Sequence, residues 1–300
     1  MREFIGDLFR FASFSIGGFL ALGLIAQLHP QAESVLFAKP SAYGHTYLRI
    51  PNFLALSDIE ALDIVILGSS TCYRGINPYH FTKANLNSFN LCSSSQSLFN
   101  SKHLLKWSLK HGANPKAILV DIYAKMWTSS GVESCRDLTI NHDHALQPQF
   151  LKMALETQDP FNLILALYSG ITRTFKPLSF PELADIYKTS GFTYSVRNPI
   201  DKLDCIPEEV EMTNTQRRAF QDIRQTCEQE RIKLILVNPP QLCEEIFEKP
   251  KVMEGLPWIE GNDWPLAKVD SLYYDDHHLR GVGAELYSEW LAGQVLALMD

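Results

Sequence analysis

Short, continuous apolar runs alternate with amphipathic segments along most of this chain. The apolar runs lie at residues 63–68, 88–91, 117–123 and 232–237. Runs that are apolar at successive positions are typical of strands covered on both faces of a parallel sheet. Helix-like segments lie between and after them, at about 78–84, 98–111, 214–229 and 282–299.

Strands that alternate with helices predict a doubly wound α/β fold, in which helices cover both faces of a parallel sheet in three layers. A weaker stretch at about 267–272 predicts one further strand. The alternation stops between about residues 126 and 213, where helix-like pieces at 150–157 and 181–188 are expected and no strand of the main sheet. We interpret this segment as a helical insertion over one end of the sheet, which shapes substrate access or serves packing.

The N-terminal segment differs from the rest because the eighteen residues 11–28 contain no charged side chain. In a helix they span about 27 Å, close to the thickness of the hydrocarbon core of a bilayer. Arg2 and Arg10 precede this segment and the next basic residue is Lys39, which favours a cytoplasmic N-terminus and a main domain outside the membrane. A cleaved signal peptide is the alternative, but residues 26–29 lack the pair of small residues that a cleavage site needs.

The sequence therefore predicts three parts. They are an N-terminal membrane anchor at 1–28, a connector at 29–60 that Pro30, Pro40 and Pro51 interrupt, and an α/β domain at 61–300.

Charge and cysteine content limit the function classes. The net charge is −7 without any basic run, so nucleic acid is a poor partner. The six cysteines form no Cys-x-x-Cys pair and have no histidine at metal-ligand spacing, so neither a zinc site nor a cofactor is predicted. Disulfides would form outside the cytoplasm, and Cys72 with Cys92, both just past predicted strand ends, is the first pair to consider.

The first candidate for chemistry is the turn Gly68-Ser69-Ser70, which follows the first predicted strand. Ligands of parallel sheets bind beyond the carboxyl ends of the strands, so a serine here would be exposed beside backbone N–H groups. Such a serine can act as a nucleophile next to the beginning of an oxyanion hole. The structural alternative is an ordinary polar turn or helix cap.

The second candidate lies ahead of the last helix, where Asp275 and His278 stand three residues apart. A serine nucleophile needs a base, and the base needs an acid that orients it and stabilises its imidazolium form. Asp276 and His277 compete for these roles by proximity, but the three-residue spacing and the leucine that follows favour Asp275 and His278. The structural alternative is a polar loop with a surface histidine pair.

These two fragments resemble the first and last sequence blocks of the SGNH (GDSL-like) hydrolases. The resemblance covers about residues 60–125 and 230–300. It is closest to membrane-anchored bacterial members, relatives of proteins that O-acetylate alginate or take part in D-alanylation of teichoic acid. It implies an SGNH-like α/β fold with Ser70 as nucleophile, His278 as general base and Asp275 as its orienting acid.

Two further blocks of that family differ here. The second block supplies a backbone N–H from a glycine, and in this chain Ser95 stands at the corresponding turn. The third block supplies an asparagine side chain, whereas this strand ends with Asp121, whose ionised carboxylate would repel an oxyanion. Arg74, four residues past Ser70, is a candidate for contacting a polar or anionic substrate, with a structural ion pair as the alternative.

The resemblance implies a serine esterase or O-acyltransferase that acts on cell-envelope polysaccharide or glycolipid. The protein would lie in the bacterial cytoplasmic membrane with its main domain outside, and a multi-spanning membrane acyltransferase would be the acyl donor. The alternative is a non-catalytic envelope protein that keeps the fold to bind glycan or to organise a membrane acyl-transfer complex. The missing asparagine and the serine-substituted second block are the observations that keep this alternative open.

Overall fold

A computed structural model describes residues 2–28, 45–140, 148–157, 184–201, 203 and 205–299. In chain order the helices are α1 (Arg2–Leu28), α2 (Thr46–Leu54), α3 (Ser70–Gly75), α4 (Pro78–Lys83), α5 (Leu98–Lys110), α6 (Val132–Ile140), α7 (Pro148–Glu156), α8 (Asn214–Glu230) and α9 (Gly281–Met299). The strands are β1 (Ile64–Leu67), β2 (Ser88–Asn90), β3 (Ala117–Asp121), β4 (Ile186–Tyr187), β5 (Thr193–Tyr194), β6 (Lys233–Asn238) and β7 (Trp258–Glu260).

The four main apolar runs form four neighbouring strands of a parallel sheet, as the sequence predicts. Together with β7 they pair in the order β2-β1-β3-β6-β7. Every residue of β1 and β3 is buried, and only the first residue of β6 is exposed. Continuous burial explains why these runs are apolar at successive positions.

The core has two parts, one on each face of the sheet. Side chains of β1 alternate between them, since Val65 packs with α5 and α8 on one face and Ile66 packs with α9 on the other. Local sequence signals set the helix ends. Asn77 accepts a hydrogen bond from Tyr79 N–H at the start of α4, and Thr213 caps α8 in the same way. The chain is therefore an α/β protein with helices on both faces of a central parallel sheet.

The fifth strand is not where the sequence predicts it. Residues 267–272 do not form a strand, and the segment ends in a single 3-10 turn at Asp270–Leu272. The edge of the sheet is instead β7, where Trp258 pairs with Leu236 and Glu260 with Asn238. A three-residue strand with a glutamate at its end has no apolar run that the sequence pattern could detect.

The insertion at 126–213 is helical only in part. The expected helix near 150–157 is confirmed as α7, and α6 precedes it. The helix expected at 181–188 is wrong over its described part, because β4 pairs antiparallel with β5 there, while 181–183 lie outside the described residues. Within the described residues of the insertion no strand joins the main sheet, as predicted.

The connector expected at 29–60 is wrong over its second half, while 29–44 lie outside the described residues. Residues Thr46–Leu54 form α2 with Pro51 inside the helix. Phe53 on this helix is fully buried, and its ring centroid lies 5.2 Å from that of Phe89 and 5.3 Å from that of Trp107. Burial of this aromatic side chain against the domain outweighs the backbone hydrogen bond that proline cannot make.

Within the described chain, α1 is the one helix long and apolar enough to cross a membrane, over Phe4–Ala21. Phe9, Phe11 and Phe14 on this helix are each more than 70% exposed. Apolar side chains that are not covered by the domain fit a membrane anchor or a signal sequence.

We expect Gly68→Ala to destabilise the protein, because a Cβ there would lie 2.4 Å from Asp121 Cβ and 3.0 Å from Cys72 Cβ. Overpacking of this kind costs about 1–3 kcal/mol. Gly75→Ala is the matched control, since its Cβ would meet Leu279 at an ordinary 3.8 Å. Thermal unfolding of the full-length protein in mild detergent measures both variants, and equal effects would contradict the steric explanation.

Candidate active site

Ser70 stands where β1 ends and α3 begins. The neighbours of β1 are β2 on one side and β3 on the other, so chain connections leave the sheet in opposite directions at this point. Ligands of open α/β sheets bind in the crevice that such a switch creates beyond the carboxyl ends of the strands. Ser70 is half-buried there, whereas its neighbour Ser69 is fully buried.

Asp275 and His278 lie on a tight loop ahead of α9. Both ends of the loop are pinned, by a bridge between Tyr273 and Leu279 and by Tyr274 N–H donating to His278 O at 3.2 Å. Asp275 Oδ1 also accepts the backbone N–H of His278 at 2.7 Å. The carboxylate is therefore oriented by the backbone of the loop as well as by the imidazole.

The structure brings Ser70, His278 and Asp275 together in a continuous chain of hydrogen bonds. His278 Nε2 lies 2.7 Å from Ser70 Oγ, and His278 Nδ1 lies 2.8 Å from Asp275 Oδ2. A carboxylate only accepts hydrogen bonds, so Nδ1 carries the proton and Nε2 accepts the Ser70 hydroxyl. This is the geometry that a serine nucleophile, its base and an orienting acid require.

Burial and hydrogen bonding keep His278 neutral and Asp275 ionised. Burial is the largest cause that lowers the pKa of His278, to about 4, against the opposing effect of Asp275. Burial acts to raise the pKa of Asp275, but the hydrogen bond from His278 holds it below its usual value. Near neutral pH the site therefore holds an unprotonated base beside a charged acid.

Ser95 adopts the backbone conformation that would favour a glycine. Its φ is +48°, in the left-handed region that non-glycine residues rarely enter. The flanking serines hold the loop, since Ser93 Oγ bonds Ser134 Oγ at 2.7 Å and Ser94 Oγ donates to Glu133 at 2.7 Å. In the described part of the chain no hydrogen-bond acceptor is recorded for Ser95 N–H, so this donor is free for a ligand.

Asp121 lies beneath the turn Gly68-Ser69-Ser70 rather than at its surface. Its Oδ2 accepts a hydrogen bond from Thr71 Oγ1 at 2.8 Å, and Thr71 Oγ1 lies 2.7 Å from Ser69 Oγ. Its Oδ1 accepts Tyr123 N–H at 3.0 Å. Burial raises the pKa of Asp121 to about 7, although the hydrogen bonds from Thr71 and Tyr123 oppose this. Asp121 thus supports the turn.

Arg74 is buried and paired with Asp185, at 2.5 Å between Nη1 and Oδ2. Its guanidinium also lies over the ring of Tyr274, 5.6 Å from the centroid, and that ring stacks on His278 at 5.2 Å. Arg74 therefore forms the structural ion pair that the sequence analysis gave as the alternative to substrate contact. It also supports His278 through the ring of Tyr274. At 3% exposure its side chain has little surface to offer a substrate.

Several contacts that hold the site were not predicted. Asn90 is fully buried and its Nδ2 donates to the carbonyls of Cys72 and Ile76, at 3.1 and 3.0 Å. Its Oδ1 accepts Cys92 N–H at 3.0 Å. The position of Asn90 inside an apolar strand is a signal that could have identified this role, because a buried amide needs hydrogen-bond partners.

The structure contains two disulfides, Cys72–Cys92 and Cys205–Cys243. The first is the pair that the sequence favours, and it ties α3 to the loop after β2. The second was not assigned from the sequence. Disulfides persist mainly outside the cytoplasm.

Asp275, His277 and His278 also offer ligand atoms within 4.8 Å of one another, as a metal site would require. Both ring nitrogens of His278 are already hydrogen-bonded, to Asp275 and Ser70. An ion held by these residues would break the hydrogen-bonded chain that connects Ser70 to Asp275. The hydrogen-bonded arrangement explains every donor and acceptor of His278 without an ion.

No protein-family model matches this chain, and neither does any curated protein.

Asp121→Asn is expected to stabilise the protein more at pH 8 than at pH 5. The folded pKa of Asp121, about 7, exceeds its unfolded value, so the wild type loses stability as pH rises toward 7. The isosteric amide does not titrate, and the gap between variant and wild type should widen by about 2 kcal/mol between pH 5 and 8. Denaturant unfolding measures this gap, and the exposed Asp270→Asn is the control. A gap that does not change with pH would contradict the assignment.

Proposed function

We propose that this protein is a membrane-anchored serine esterase or O-acyltransferase that acts on cell-envelope polysaccharide or glycolipid. One observation carries the proposal, the hydrogen-bonded chain from Ser70 through His278 to Asp275 at the carboxyl end of β1. The three residues are the ones that the resemblance to SGNH hydrolases assigns to the catalytic triad. A surface histidine with no chemical role would not need a buried, uncharged imidazole aimed at a serine hydroxyl.

In the first half of the reaction Ser70 Oγ attacks an ester carbonyl while His278 Nε2 takes the hydroxyl proton. Asp275 stabilises the imidazolium that forms. The tetrahedral intermediate then collapses, the alcohol leaves with the proton from His278, and the acyl group stays on Ser70. In the second half His278 removes a proton from water or from a sugar hydroxyl, whose oxygen attacks the acyl-enzyme and releases Ser70.

The oxyanion would be stabilised by backbone donors. Ser70 N–H belongs to the first turn of α3, where N–H groups have no carbonyl partner within the helix. Ser95 N–H is the second donor, made available by the positive φ of that residue. No side-chain amide replaces the family's asparagine after β3, and loss of one donor costs about 10²–10³ in rate. We therefore expect slower turnover than a complete oxyanion hole supports.

The proposed location rests on α1 and on the disulfides. An apolar N-terminal helix fits an anchor, and two disulfides fit a domain outside the cytoplasm. Acyl transfer at that surface would use a donor delivered from the membrane, for which a multi-spanning acyltransferase is the partner suggested by the resemblance. An envelope protein that binds glycan without catalysis is the second candidate, and the missing side-chain donor favours it.

A fluorophosphonate probe tests the proposal, because it labels only a serine that a neighbouring base activates. We expect the full-length protein to be labelled and Ser70→Ala to lose the label. Asp275→Asn should slow labelling on the order of 10³–10⁴-fold by disturbing the tautomer of His278. Ser271→Ala, which removes an exposed serine from the 3-10 turn ahead of α9, should label normally.

Folded wild-type protein that fails to label would contradict the enzyme proposal. It would favour the glycan-binding candidate, provided that circular dichroism shows the wild type and Ser70→Ala to be equally folded.

The rate of labelling should fall only when the pH drops through about 4. Protonation of His278 removes the lone pair that accepts the Ser70 proton, and its pKa is lowered to about 4 by burial. The folded value lies below the unfolded one of about 6.5, so acidification over this interval also reduces stability. Labelling rates between pH 3.5 and 8, with folding checked at each pH, measure the midpoint. A midpoint near 6.5 would contradict a buried base.

A further inference from the structure

A second histidine–aspartate pair lies directly beside the triad. His277 Nδ1 is 2.6 Å from Asp276 Oδ1, and the His277 ring centroid is 4.0 Å from that of His278. The reaction described above uses neither residue. Asp276 itself is held by Lys125, 3.5 Å from its Oδ2, and by Leu242 N–H, which donates to its carbonyl at 2.9 Å.

The surroundings of His277 determine which part of the ring is open. The ring stacks on Tyr123, with centroids 5.0 Å and planes 20° apart, and it also lies against the ring of His278 at a tilt of 40°. The Nδ1 edge is occupied by Asp276. The ring remains 20% exposed, so the accessible part is the opposite edge, which carries Nε2. Among the described residues no hydrogen-bond partner is recorded for Nε2.

Chemistry defines what this open nitrogen can bind. Asp276 accepts the proton on Nδ1, and the hydrogen bond from His277 holds the pKa of Asp276 below its usual value although burial acts to raise it. In the neutral ring Nε2 is then an acceptor, which binds a hydroxyl or amine donor and not another acceptor. The pair therefore presents an oriented acceptor, His277 Nε2, on a ring whose centroid lies 4.0 Å from that of His278.

A cleft of about 310 Å³ borders the pair at Asp276. Its described lining contains five carboxylate side chains and one lysine, in addition to apolar residues and a disulfide cysteine; the residues are Lys125, Ile200, Leu203, Ile206, Glu208, Cys243, Glu244, Glu245, Asp275 and Asp276. Excess negative charge disfavours an anionic ligand and admits a neutral one.

We propose that His277, oriented by Asp276, accepts a hydrogen bond from the acyl acceptor and selects an uncharged sugar with two adjacent hydroxyls. This inference rests on the proposed function and specifies its acceptor. His278 takes the proton of the attacking hydroxyl, whose oxygen forms the new ester bond; as the bond to Ser70 Oγ breaks, His278 returns that proton to Ser70 Oγ. His277 holds the neighbouring hydroxyl, which keeps its proton. Water offers no second hydroxyl, so the pair favours transfer over hydrolysis.

The test uses full-length protein in detergent, with p-nitrophenyl acetate as donor and trans-1,2-cyclohexanediol or cyclohexanol as acceptor. The partition is the acetyl ester formed per p-nitrophenol released. A neutral hydrogen bond to the second hydroxyl should favour the diol by about 10-fold in the wild type. His277→Phe keeps an aromatic ring against Tyr123 but has no nitrogen, so this preference should disappear. His277→Gln, which retains an acceptor oxygen, should recover part of it.

The release of p-nitrophenol in the absence of acceptor separates the possible results. Unchanged release in His277→Phe, together with loss of the diol preference, supports the inference. A diol preference that survives in His277→Phe, or release to water alone with either acceptor, overturns it and leaves the esterase proposal intact. Loss of release in His277→Phe as severe as in His278→Phe also overturns it. A wild type without fluorophosphonate labelling would remove the proposed function itself.

A second comparison tests the charge of the acceptor. Methyl glucoside should accept the acetyl group at least 10-fold better than methyl glucuronide, because the carboxylates of the cleft repel the uronate. The difference should shrink at high salt, since screening weakens interactions between exposed charges. Equal or better transfer to the glucuronide would overturn the uncharged-acceptor part of the inference.

Discussion

The contact between the turn at Gly68-Ser69-Ser70 and Asp121 is the constraint on which the candidate site depends. Gly68 leaves β1 so close to Asp121 that no side chain fits between them. The buried carboxyl then holds Thr71, and Thr71 holds Ser69, by a short chain of hydrogen bonds. The turn is thereby pinned against β3, and Ser70 Oγ lies 2.7 Å from His278 Nε2.

The same turn must also meet a loop from the far end of the chain. Asn77, just after α3, donates its backbone N–H to Ser288 Oγ on α9 at 2.7 Å, and its side chain donates to Glu285 at 2.9 Å. These bonds hold α9 against α3 and α4, and the loop ahead of α9 carries Asp275 and His278. A separation of 208 residues between Ser70 and His278 is closed by helix packing on one face of the sheet.

Patterns along the chain predicted what local chemistry controls. Strands β1, β2, β3 and β6 followed from continuous apolar runs, and α4, α5, α8 and α9 followed from the helix-like segments between and after those runs. The site residues followed from short motifs, because a turn after a strand and an Asp-x-x-His loop each place side chains within a few residues. By contrast, the sequence pattern did not predict β4, β5, β7 or α2, because each of these elements depends on contacts with distant residues. Phe53 packs α2 against Phe89, and β7 pairs with β6 at Leu236.

The sequence by itself determined the α/β class, the apolar N-terminal helix and the identity of Ser70, Asp275 and His278. Only the tertiary structure decided that Arg74 pairs with Asp185, that Ser95 keeps a glycine-like backbone and that His277 forms a second pair with Asp276. The physical reason is the distance along the chain between the residues that interact. Burial patterns and helix caps depend on residues that are neighbours in the sequence. Which residue forms a hydrogen bond with one a hundred positions away depends on strand order and helix packing.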